Sequence, residues 1–460
     1  MKNQITNKQP SRFLKLFNIK CFVIYLSLVL SLYGYSQTPH QDKLDLFFDQ
    51  LDKNNKAMGS LTLAKNDKVL YTRTIGYSEI KEDKSSPLNS TTKFRVGSVT
   101  KMFTAVMIFQ LIEEGSLKLA DKLDKYVPQI PNSDKISIRD ILSHTSGIHD
   151  ITADPKLRPE RTASISKEEM LNIISKAESD FEPGTKFSYS NSGYFVLGYL
   201  LEKVTDKSYE ENLMERIIEK VGLENSYVAS GVTDPDKNES YSYMRFDNWR
   251  QVPATHWSIL FGSGSLVSTP DDMARFIQAL FNHKLVSQES LSHMKTIQKE
   301  GYGMGMETFI FGDRIYFGHT GGIDGFGSWL AYQPEEKLAI AYVANAKVYP
   351  IKKIIEVVAT IYFNQPFEIP TFKTLDLSTD VLDKYVGLYT REGAPVNFTV
   401  SRKEKTLFLQ MNGKEALPLE AVSNNKFKLA SQGMSIEFNE KENQMTFKRG
   451  SGARVFTKEN

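Results

Sequence analysis

Ser98 and Lys101 are the first pair of side chains that could do chemistry together, because they stand three residues apart. In a helix this spacing places a hydroxyl and an amine on one face, one turn apart. A serine hydroxyl is inert at its ordinary pKa, and a buried, neutral lysine amine can take its proton. Other Ser-x-x-Lys pairs occur along the chain, but this one has Gly97 before it and the apolar run 102–112 after it. The alternative is a helix-capping serine beside a lysine that extends its amine to solvent.

Tyr189 and Asn191 form a second candidate pair, two residues apart and just ahead of a helical pattern. In an extended segment or a tight loop such residues face the same side, so that phenol and amide can line one cavity. A lysine ammonium nearby would lower the pKa of the tyrosine and let it relay protons, and the asparagine could hold a substrate amide. The alternative is a turn rich in tyrosine and asparagine that leads into a helix.

A glycine-rich segment is the third candidate. It begins with His319, Thr320 and Gly321 and continues to Gly322. Small residues along a strand edge let another backbone approach closely, as a substrate lying along the strand must. A backbone N–H here could pair with that of Ser98 to bind an oxyanion. The alternative is a glycine-rich hairpin in which the histidine is an ordinary surface or core residue.

Composition argues against several other kinds of site. The 460 residues carry 57 basic and 55 acidic side chains, a formal net charge of +2, which does not indicate nucleic-acid binding. The single cysteine excludes an internal disulfide. His144 and His149 are five residues apart and lack the i, i+4 spacing of a two-histidine metal face. We therefore predict no metal and no cofactor.

The elements that must position these residues come from both ends of the chain. Strand-like patterns precede and follow the middle third, at 60–64, 69–75, 301–311, 314–318, 327–333 and 337–345. Apolar periodicity predicts helices near 41–51, 102–112, 136–146, 167–176, 192–204 and 351–363. This order predicts an α/β fold of the α+β kind, an antiparallel sheet flanked by helices with a helical subdomain inserted.

The pattern changes beyond about residue 365. Residues 366–380 include Pro366 and Pro370 and few periodic apolar positions, so we interpret them as a linker. Period-two alternation then recurs in short runs between turn signals. We predict a hydrolase-like domain over 37–365 and a small antiparallel, barrel-like β-domain over 381–460.

The N-terminal segment has the layout of a secretory signal peptide. Five basic residues and no acidic residue lie in the first twenty positions, and an apolar run from Cys21 to Tyr33 follows. This run of about 13 residues is shorter than a membrane-spanning helix. We predict cleavage near Ser36, export to the periplasm or the medium, and no stable membrane span after removal of residues 1–36. An uncleaved anchor is the alternative.

The three motifs occur in one order, Ser98-x-x-Lys101, then Tyr189-x-Asn191, then His319-Thr320-Gly321. This order closely resembles the signature of the serine β-lactamase and penicillin-binding protein superfamily. Because its middle motif begins with a tyrosine, the chain resembles one branch of the superfamily in particular. That branch holds class C β-lactamases, D-alanyl-D-alanine carboxypeptidases, D-aminopeptidases and family VIII esterases. The resemblance covers about residues 40–365, and the tail resembles a lipocalin-like β-domain found in some of these proteins.

The resemblance implies a role for each matching residue. Ser98 would be acylated, Lys101 would take or shuttle its proton, and Tyr189 would donate a proton to the leaving group. Asn191 and the segment of His319, Thr320 and Gly321 would bind substrate, and the N–H groups of Ser98 and Gly322 would form the oxyanion hole. His319 stands where class C β-lactamases have lysine. Neutral histidine offers a hydrogen bond but no permanent cation to a substrate carboxylate, which weakens the expectation of efficient β-lactam hydrolysis.

These expectations describe an exported serine hydrolase that acts through an acyl-serine intermediate on an amide, a D-Ala-type peptide or an ester. Its partner would be a small-molecule or peptide substrate, including fragments derived from peptidoglycan. Within the enzymes, the alternative is a class C-like β-lactamase or a carboxylesterase. Outside them, the alternative is a non-catalytic envelope protein that binds peptidoglycan fragments. The oligomeric state is left open.

Overall fold

The computed structural model describes Met1 and residues 40–246, 248–372, 375–429, 434–449 and 452–459. The predicted signal peptide and its cleavage site fall almost entirely on residues 2–39, outside the described residues. In the part of the chain that is described, no helix is long and apolar enough to cross a membrane.

The helices, numbered in chain order, are α1 Gln41–Lys53, α2 Thr100–Glu113, α3 Ile138–Leu142, α4 Lys167–Lys176, α5 Asn191–Thr205, α6 Tyr209–Leu213, α7 Glu219–Val221, α8 Trp257–Leu260, α9 Pro270–Phe281, α10 Gln288–Lys295, α11 Ile351–Tyr362 and α12 Thr379–Asp383. Single turns of 3-10 helix lie at Gly97–Val99, Leu123–Lys125, Pro235–Lys237, Phe261–Ser263 and Glu440–Glu442, and a π-helical turn at Met214–Ile218.

The strands before the C-terminal segment are β1 Ala57–Lys65, β2 Lys68–Ile75, β3 Tyr77–Glu79, β4 Ser86–Pro87, β5 Phe94–Arg95, β6 Tyr227–Val228, β7 Tyr243–Arg245, β8 Trp249–Gln251, β9 Leu266–Ser268, β10 Glu307–Phe311, β11 Arg314–Ile323, β12 Phe326–Gln333 and β13 Leu338–Lys347. The strands of the C-terminal segment are β14 Gly387–Thr390, β15 Phe398–Lys403, β16 Thr406–Met411, β17 Leu417–Pro418, β18 Glu420–Ala421, β19 Lys426–Leu429, β20 Met434–Asn439, β21 Gln444–Arg449 and β22 Gly452–Lys458.

The central sheet joins strands from both ends of the main fold, in the order β10-β11-β12-β13-β1-β2, with antiparallel pairing throughout this path. Helices cover both of its faces, so β13 is buried along nearly its whole length. Because side chains alternate across a strand, Ala341 and Val343 enter one core while Ile340 and Tyr342 enter the other. The predicted α+β fold, with an antiparallel sheet flanked by helices, is confirmed.

Helix α2 lies at the centre of the larger core and is buried on every side from Thr100 to Leu111. A helix that is apolar all round can only be stable inside such a core. The 3-10 turn Gly97–Val99 just before it contacts strand β11 of the sheet, and α2 itself contacts α5 of the helical region. The N-terminal end of α2 therefore sits at the junction of sheet and helices.

The C-terminal strands form a separate antiparallel sheet in the order β17-β16-β15-β14-β22-β21-β20-β19-β18. Its two terminal strands are neighbours in sequence, so the sheet is nearly closed, and its interior holds its own core, which includes Tyr389, Phe398, Met445 and Phe456. The predicted barrel-like all-β segment is thus confirmed. Strands β14 and β22 were not predicted, and β22 shows little apolar alternation because most of its residues are exposed.

Three predicted elements differ in extent. The predicted strand 301–311 begins only at Glu307, because Gly301 and Gly305 both adopt positive φ and bend the chain before it. The predicted helix 136–146 spans only 138–142, since His144 takes a left-handed conformation with φ of 57°. The strand predicted at 314–318 continues to Ile323, so the glycine-rich segment lies within β11.

Candidate active site

Ser98 is held at the accessible end of an otherwise buried helix. Gly97 has φ of 53°, a conformation that glycine adopts without strain, and turns the chain into α2. Thr100 fixes this turn, because its hydroxyl donates to the Gly97 carbonyl (2.7 Å) and accepts from the Leu266 N–H (3.1 Å). Ser98 is half-buried, whereas its neighbours are buried. The serine is thereby exposed at a fixed position.

Lys101 is the second residue of α2, about one turn after Ser98, and is completely buried. Its Nζ donates to Ser98 Oγ (3.2 Å), Asn191 Oδ1 (2.7 Å) and the Ser263 carbonyl (2.8 Å). Burial lowers the pKa of Lys101 to about 7, and the negative charge of Asp150 opposes the shift. Much of the amine is therefore neutral near pH 7 and can accept the Ser98 proton, as the sequence analysis expected.

Tyr189 approaches the same serine from the helical region. Its phenol is hydrogen-bonded to the Ser98 side chain, and Lys101 Nζ lies 4.8 Å from the centre of its ring. Burial raises the pKa of Tyr189 well above its ordinary value. The expectation from the sequence that a nearby ammonium lowers this pKa is wrong, because desolvation of the phenolate dominates. The phenol stays protonated and is a hydrogen-bond donor or acid.

Asn191 is the first residue of α5 and connects the lysine to a loop of the helical region. Its Oδ1 accepts from Lys101, while its Nδ2 donates to Asp150 Oδ2 (3.1 Å) and to Thr152 Oγ1 (2.9 Å). The helix begins here because the side chain of Ser190 caps the N–H of Gly193. Both the oxygen and the nitrogen of the Asn191 amide are thus hydrogen-bonded within the protein, and the bond from its oxygen orients Lys101.

The structure places His319 in the protein interior, with 1% of its surface exposed. Its Nε2 lies 3.0 Å from the Tyr302 hydroxyl, and its Nδ1 lies 2.5 Å from the Thr320 carbonyl and 3.2 Å from Glu307. Burial lowers its pKa. The imidazole is therefore neutral at pH 7 and faces the Tyr302 hydroxyl. The hydroxyl of Thr320 donates a hydrogen bond to Glu307 (2.8 Å).

Gly97 and Gly321 allow β11 to lie directly against the serine turn. A Cβ atom on Gly321 would come within 2.1 Å of the Val96 carbonyl, and one on Gly97 would come within 3.0 Å of the Gly322 nitrogen. Only residues without side chains permit this approach. The close contact brings Ser98 and Gly322 to one cavity.

That cavity has a volume of about 250 Å³. Gly97, Ser98, Asn191, Ser263 and Gly322 belong to its lining. The rest of its lining comes from Thr152, Arg158, Arg161, Thr255, Ile259, Leu260, Gly264, Ile323 and Asp324. Lys101, Tyr189 and His319 are not among the residues that line it. In the described ranges, no cluster of histidine, cysteine and acidic side chains is arranged to hold a metal ion.

His144 supports Tyr189 in a way that sequence reasoning missed. Its carbonyl accepts from the Ser188 N–H (3.0 Å) and its Nδ1 from the Ser190 N–H (3.1 Å), so it fixes the backbone on both sides of the tyrosine. Its ring lies 4.3 Å from that of Tyr189. The sequence signal was present in the segment Ile141 to Gly147, but no pattern showed which residues it would contact.

The fold and this pocket define the class of protein, which is a serine hydrolase. More narrowly, the chain belongs to the Beta-lactamase family, whose family model matches residues 44–353. It is 24% identical over 424 residues to penicillin-binding protein 4* of Bacillus subtilis, covering 86% of this chain and 93% of that relative. It is also 26% identical over 336 residues to protein flp of Staphylococcus aureus, covering 69% of this chain and 65% of flp.

Solved structures with the same fold extend the comparison. The D-amino acid amidase of Ochrobactrum anthropi SV3 matches with a TM-score of 0.61 and 24% identity, over 70% of this chain and 99% of the amidase. A D-stereospecific amidohydrolase from a Streptomyces species matches with a TM-score of 0.60 and 26% identity, over 68% and 97%. An octameric penicillin-binding protein homologue from Pyrococcus abyssi matches with a TM-score of 0.63 and 22% identity, over 91% and 100%.

Proposed function

We propose that the protein hydrolyses amide or ester bonds through an acyl-serine intermediate on Ser98. The observation that carries the proposal is that two groups beside the Ser98 hydroxyl have pKa values shifted in opposite directions. Burial lowers the pKa of Lys101 to about 7 and raises that of Tyr189, and both side chains contact Ser98 Oγ. Environments that separate two pKa values in this way assign one group as base and the other as acid.

In the proposed reaction, the neutral amine of Lys101 takes the proton of Ser98 as Oγ attacks the substrate carbonyl. The N–H groups of Ser98 and Gly322 stabilise the oxyanion of the tetrahedral intermediate. Tyr189 gives its proton to the leaving group as the bond to it breaks, and the Lys101 ammonium returns a proton to Tyr189. Water then attacks the acyl-serine by the same route, which frees the acid and restores Ser98.

Asn191 has two proposed roles in this reaction. It lines the cavity and can contact the substrate amide, and its hydrogen bond to Lys101 holds the amine toward Ser98. Because the His319 side chain is buried against Tyr302, we propose that it supports the wall of the site. The substrate would then contact this segment only through the main-chain groups of His319, Thr320 and Gly321. A buried neutral imidazole gives no cation to a β-lactam carboxylate, so β-lactam turnover should be slow.

For the bond cleaved, we favour the amide of a D-amino acid or a D-peptide. The support is the likeness to a D-amino acid amidase and a D-stereospecific amidohydrolase, together with the penicillin-binding relative. Ester hydrolysis by the same acyl-serine route is the alternative. The geometry at Ser98 serves both, because either leaving group can take the Tyr189 proton.

The test begins with a covalent adduct. Purified protein, incubated with a fluorophosphonate or with penicillin, should gain the mass of one adduct on Ser98, and Ser98→Ala should gain none. Turnover of D-amino acid amides, D-Ala-D-Ala peptides, p-nitrophenyl esters and nitrocefin then identifies the bond. Absence of any adduct on folded protein, with equal turnover by Ser98→Ala, would refute the proposal. Muropeptide binding that survives this substitution without hydrolysis would instead favour a binding protein.

We also propose the division into a hydrolase domain at 37–365, a linker at 366–380 and a β-domain at 381–460, and export directed by residues 1–36. The separate core of the C-terminal sheet supports the first. Limited proteolysis should cut within the linker and release two stable fragments. Mass spectrometry of the secreted chain should find Gln37 at its N-terminus, and an intact Met1 on the exported protein would contradict cleavage.

A further inference from the structure

One wall of the cavity, defined by Arg158, Arg161, Thr255 and Asp324, carries two positive charges and one negative charge. Asp324 is the acidic residue of this wall, and its side chain has no exposed surface. It accepts an ion pair from Arg161, and hydrogen bonds from the Thr255 N–H (3.0 Å) and hydroxyl (2.6 Å). Its hydrogen-bonding capacity is therefore largely used within the wall.

Two further cations lie within electrostatic range of the same carboxylate. Arg95 is buried and donates to the carbonyls of Thr255 (2.6 Å) and Gly231 (2.7 Å), and its pKa is sensitive to the charge of Asp324. Lys347 is affected by Asp324 in the same way. Arg95 is also acted on by Glu239, and the wall itself holds two guanidinium groups against one carboxylate, so one positive charge of the wall is left for a ligand.

Arg158 lines the cavity and is exposed. Among the described residues its guanidinium has no hydrogen-bond or ion-pair partner, whereas Arg161 is tied to Asp324 and Thr255. The nearby carboxylate of Asp154 is occupied by His149 (3.4 Å) and by the Lys156 N–H (2.8 Å). Arg158 is thus the side chain of this wall that is free to bind an anion.

The position of Tyr189 shows which half of a substrate the cavity would hold. Tyr189, the proposed proton donor to the leaving group, is not among the residues that line the cavity. Ser98 and Gly322, which carry the proposed oxyanion site, do line it, and this favours the acyl side of the scissile bond. With a volume of about 250 Å³ it is smaller than most sites for drug-sized ligands and suits a short acyl chain.

We propose that this cavity binds the acyl half of the substrate and that Arg158 recognises a carboxylate on that half. The substrate class is a short acyl donor with a terminal negative charge, such as a dicarboxylic monoamide or the side-chain amide of an acidic D-amino acid. The inference rests on the proposed acyl-serine function, because it assigns a part of that substrate to the cavity. Guanidinium binds carboxylate in a planar, two-point geometry that lysine cannot reproduce.

A matched pair of esters tests it. The p-nitrophenyl monoester of adipic acid carries a terminal carboxylate, and the same ester of adipic acid monoamide is an uncharged isostere. We expect kcat/KM to favour the charged ester by about ten- to a hundredfold, as one charge-assisted contact allows. Arg158→Gln should remove this preference, so that the ratio of the two kcat/KM values falls to about one. Lys156→Gln removes an exposed cation two residues away that does not line the cavity, and should change neither value.

The outcomes separate the two proposals. Equal turnover of both esters by the wild type, or an equal loss on both in Arg158→Gln, would overturn the carboxylate site and leave the serine mechanism intact. If neither ester is cleaved, calorimetry on Ser98→Ala still decides the question. Adipate monoamide, which keeps one carboxylate, should bind at least ten times more tightly than adipamide and should lose that advantage in the double variant with Arg158→Gln. Equal binding of the two would refute the site.

Discussion

Removal of one charge that does not touch Ser98 should shift the pH dependence of the enzyme in a direction fixed by the structure. Asp150 bonds to the far end of the Asn191 amide, whose near end accepts from Lys101. Its negative charge raises the pKa of Lys101, opposing the larger lowering by burial. In Asp150→Asn the pKa of Lys101 should therefore fall below about 7.

The size of the effect follows from the geometry. One side-chain amide separates the two charged groups, which puts them roughly 8 Å apart. At an effective dielectric constant of 20 to 40 their attraction amounts to about 1–2 kcal/mol, or about one pH unit. The amine must be neutral to act as base, so kcat/KM of the wild type should be half-maximal near pH 7 and about a tenth of its plateau at pH 6. The acid limb of Asp150→Asn should lie about one unit lower.

The assay is a pH profile of kcat/KM on an uncharged p-nitrophenyl ester. Thr152→Val is the matched control, because it removes the other hydrogen bond to Asn191 without changing charge. It should lower the plateau and leave the midpoint in place. His149→Asn tests the other nearby titrating group, whose pKa is raised by Asp180, and should retain the limb. A midpoint that moves upward in Asp150→Asn, or moves equally in Thr152→Val, would refute the assignment of the limb to Lys101.

Three further predictions concern the parts that support the site. Lys101→Met should be inactive. The pKa of Lys101 in the folded protein, about 7, lies below the ordinary 10.5, so the unfolded chain binds more protons between these two values. The free energy of unfolding of the wild type, measured with urea, should therefore rise by about 2–3 kcal/mol relative to this variant between pH 6.5 and pH 9. His144→Phe, which lacks an acceptor for the Ser190 N–H, should lower kcat about 10- to 100-fold with KM nearly constant, while His144→Asn, which keeps an acceptor and tolerates the left-handed backbone, should recover most of it; an equal loss in both would mean that the ring alone matters. Gly321→Ala should lower the free energy of unfolding by about 1–3 kcal/mol, seen as a lower melting temperature, and should reduce turnover, because its Cβ would overlap the Val96 carbonyl. Unchanged turnover would show that β11 does not set the oxyanion site.

Much of the fold could be predicted because it depends on local pattern. The apolar run after Lys101 predicts a buried helix wherever it lies in the fold, and the short apolar runs of β12 and β13 predict buried strands. What the pattern did not predict was decided by neighbours. The helix near His144 is short because the chain must turn there to support Tyr189, and β22 is held by backbone pairing with β14 and β21.

The sequence by itself determined which chemical groups are present and their order, including the Ser98 hydroxyl and the Lys101 amine on one helical face. Only the tertiary structure decided their state. The pKa of Lys101 depends on burial and on the charges of Asp150 and Glu307, which approach from distant segments, and a pKa is the sum of such contributions. The direction of the His319 side chain depends likewise on the register of β11 and the position of Tyr302. Identity is local, whereas solvation and charge are set by everything that packs nearby.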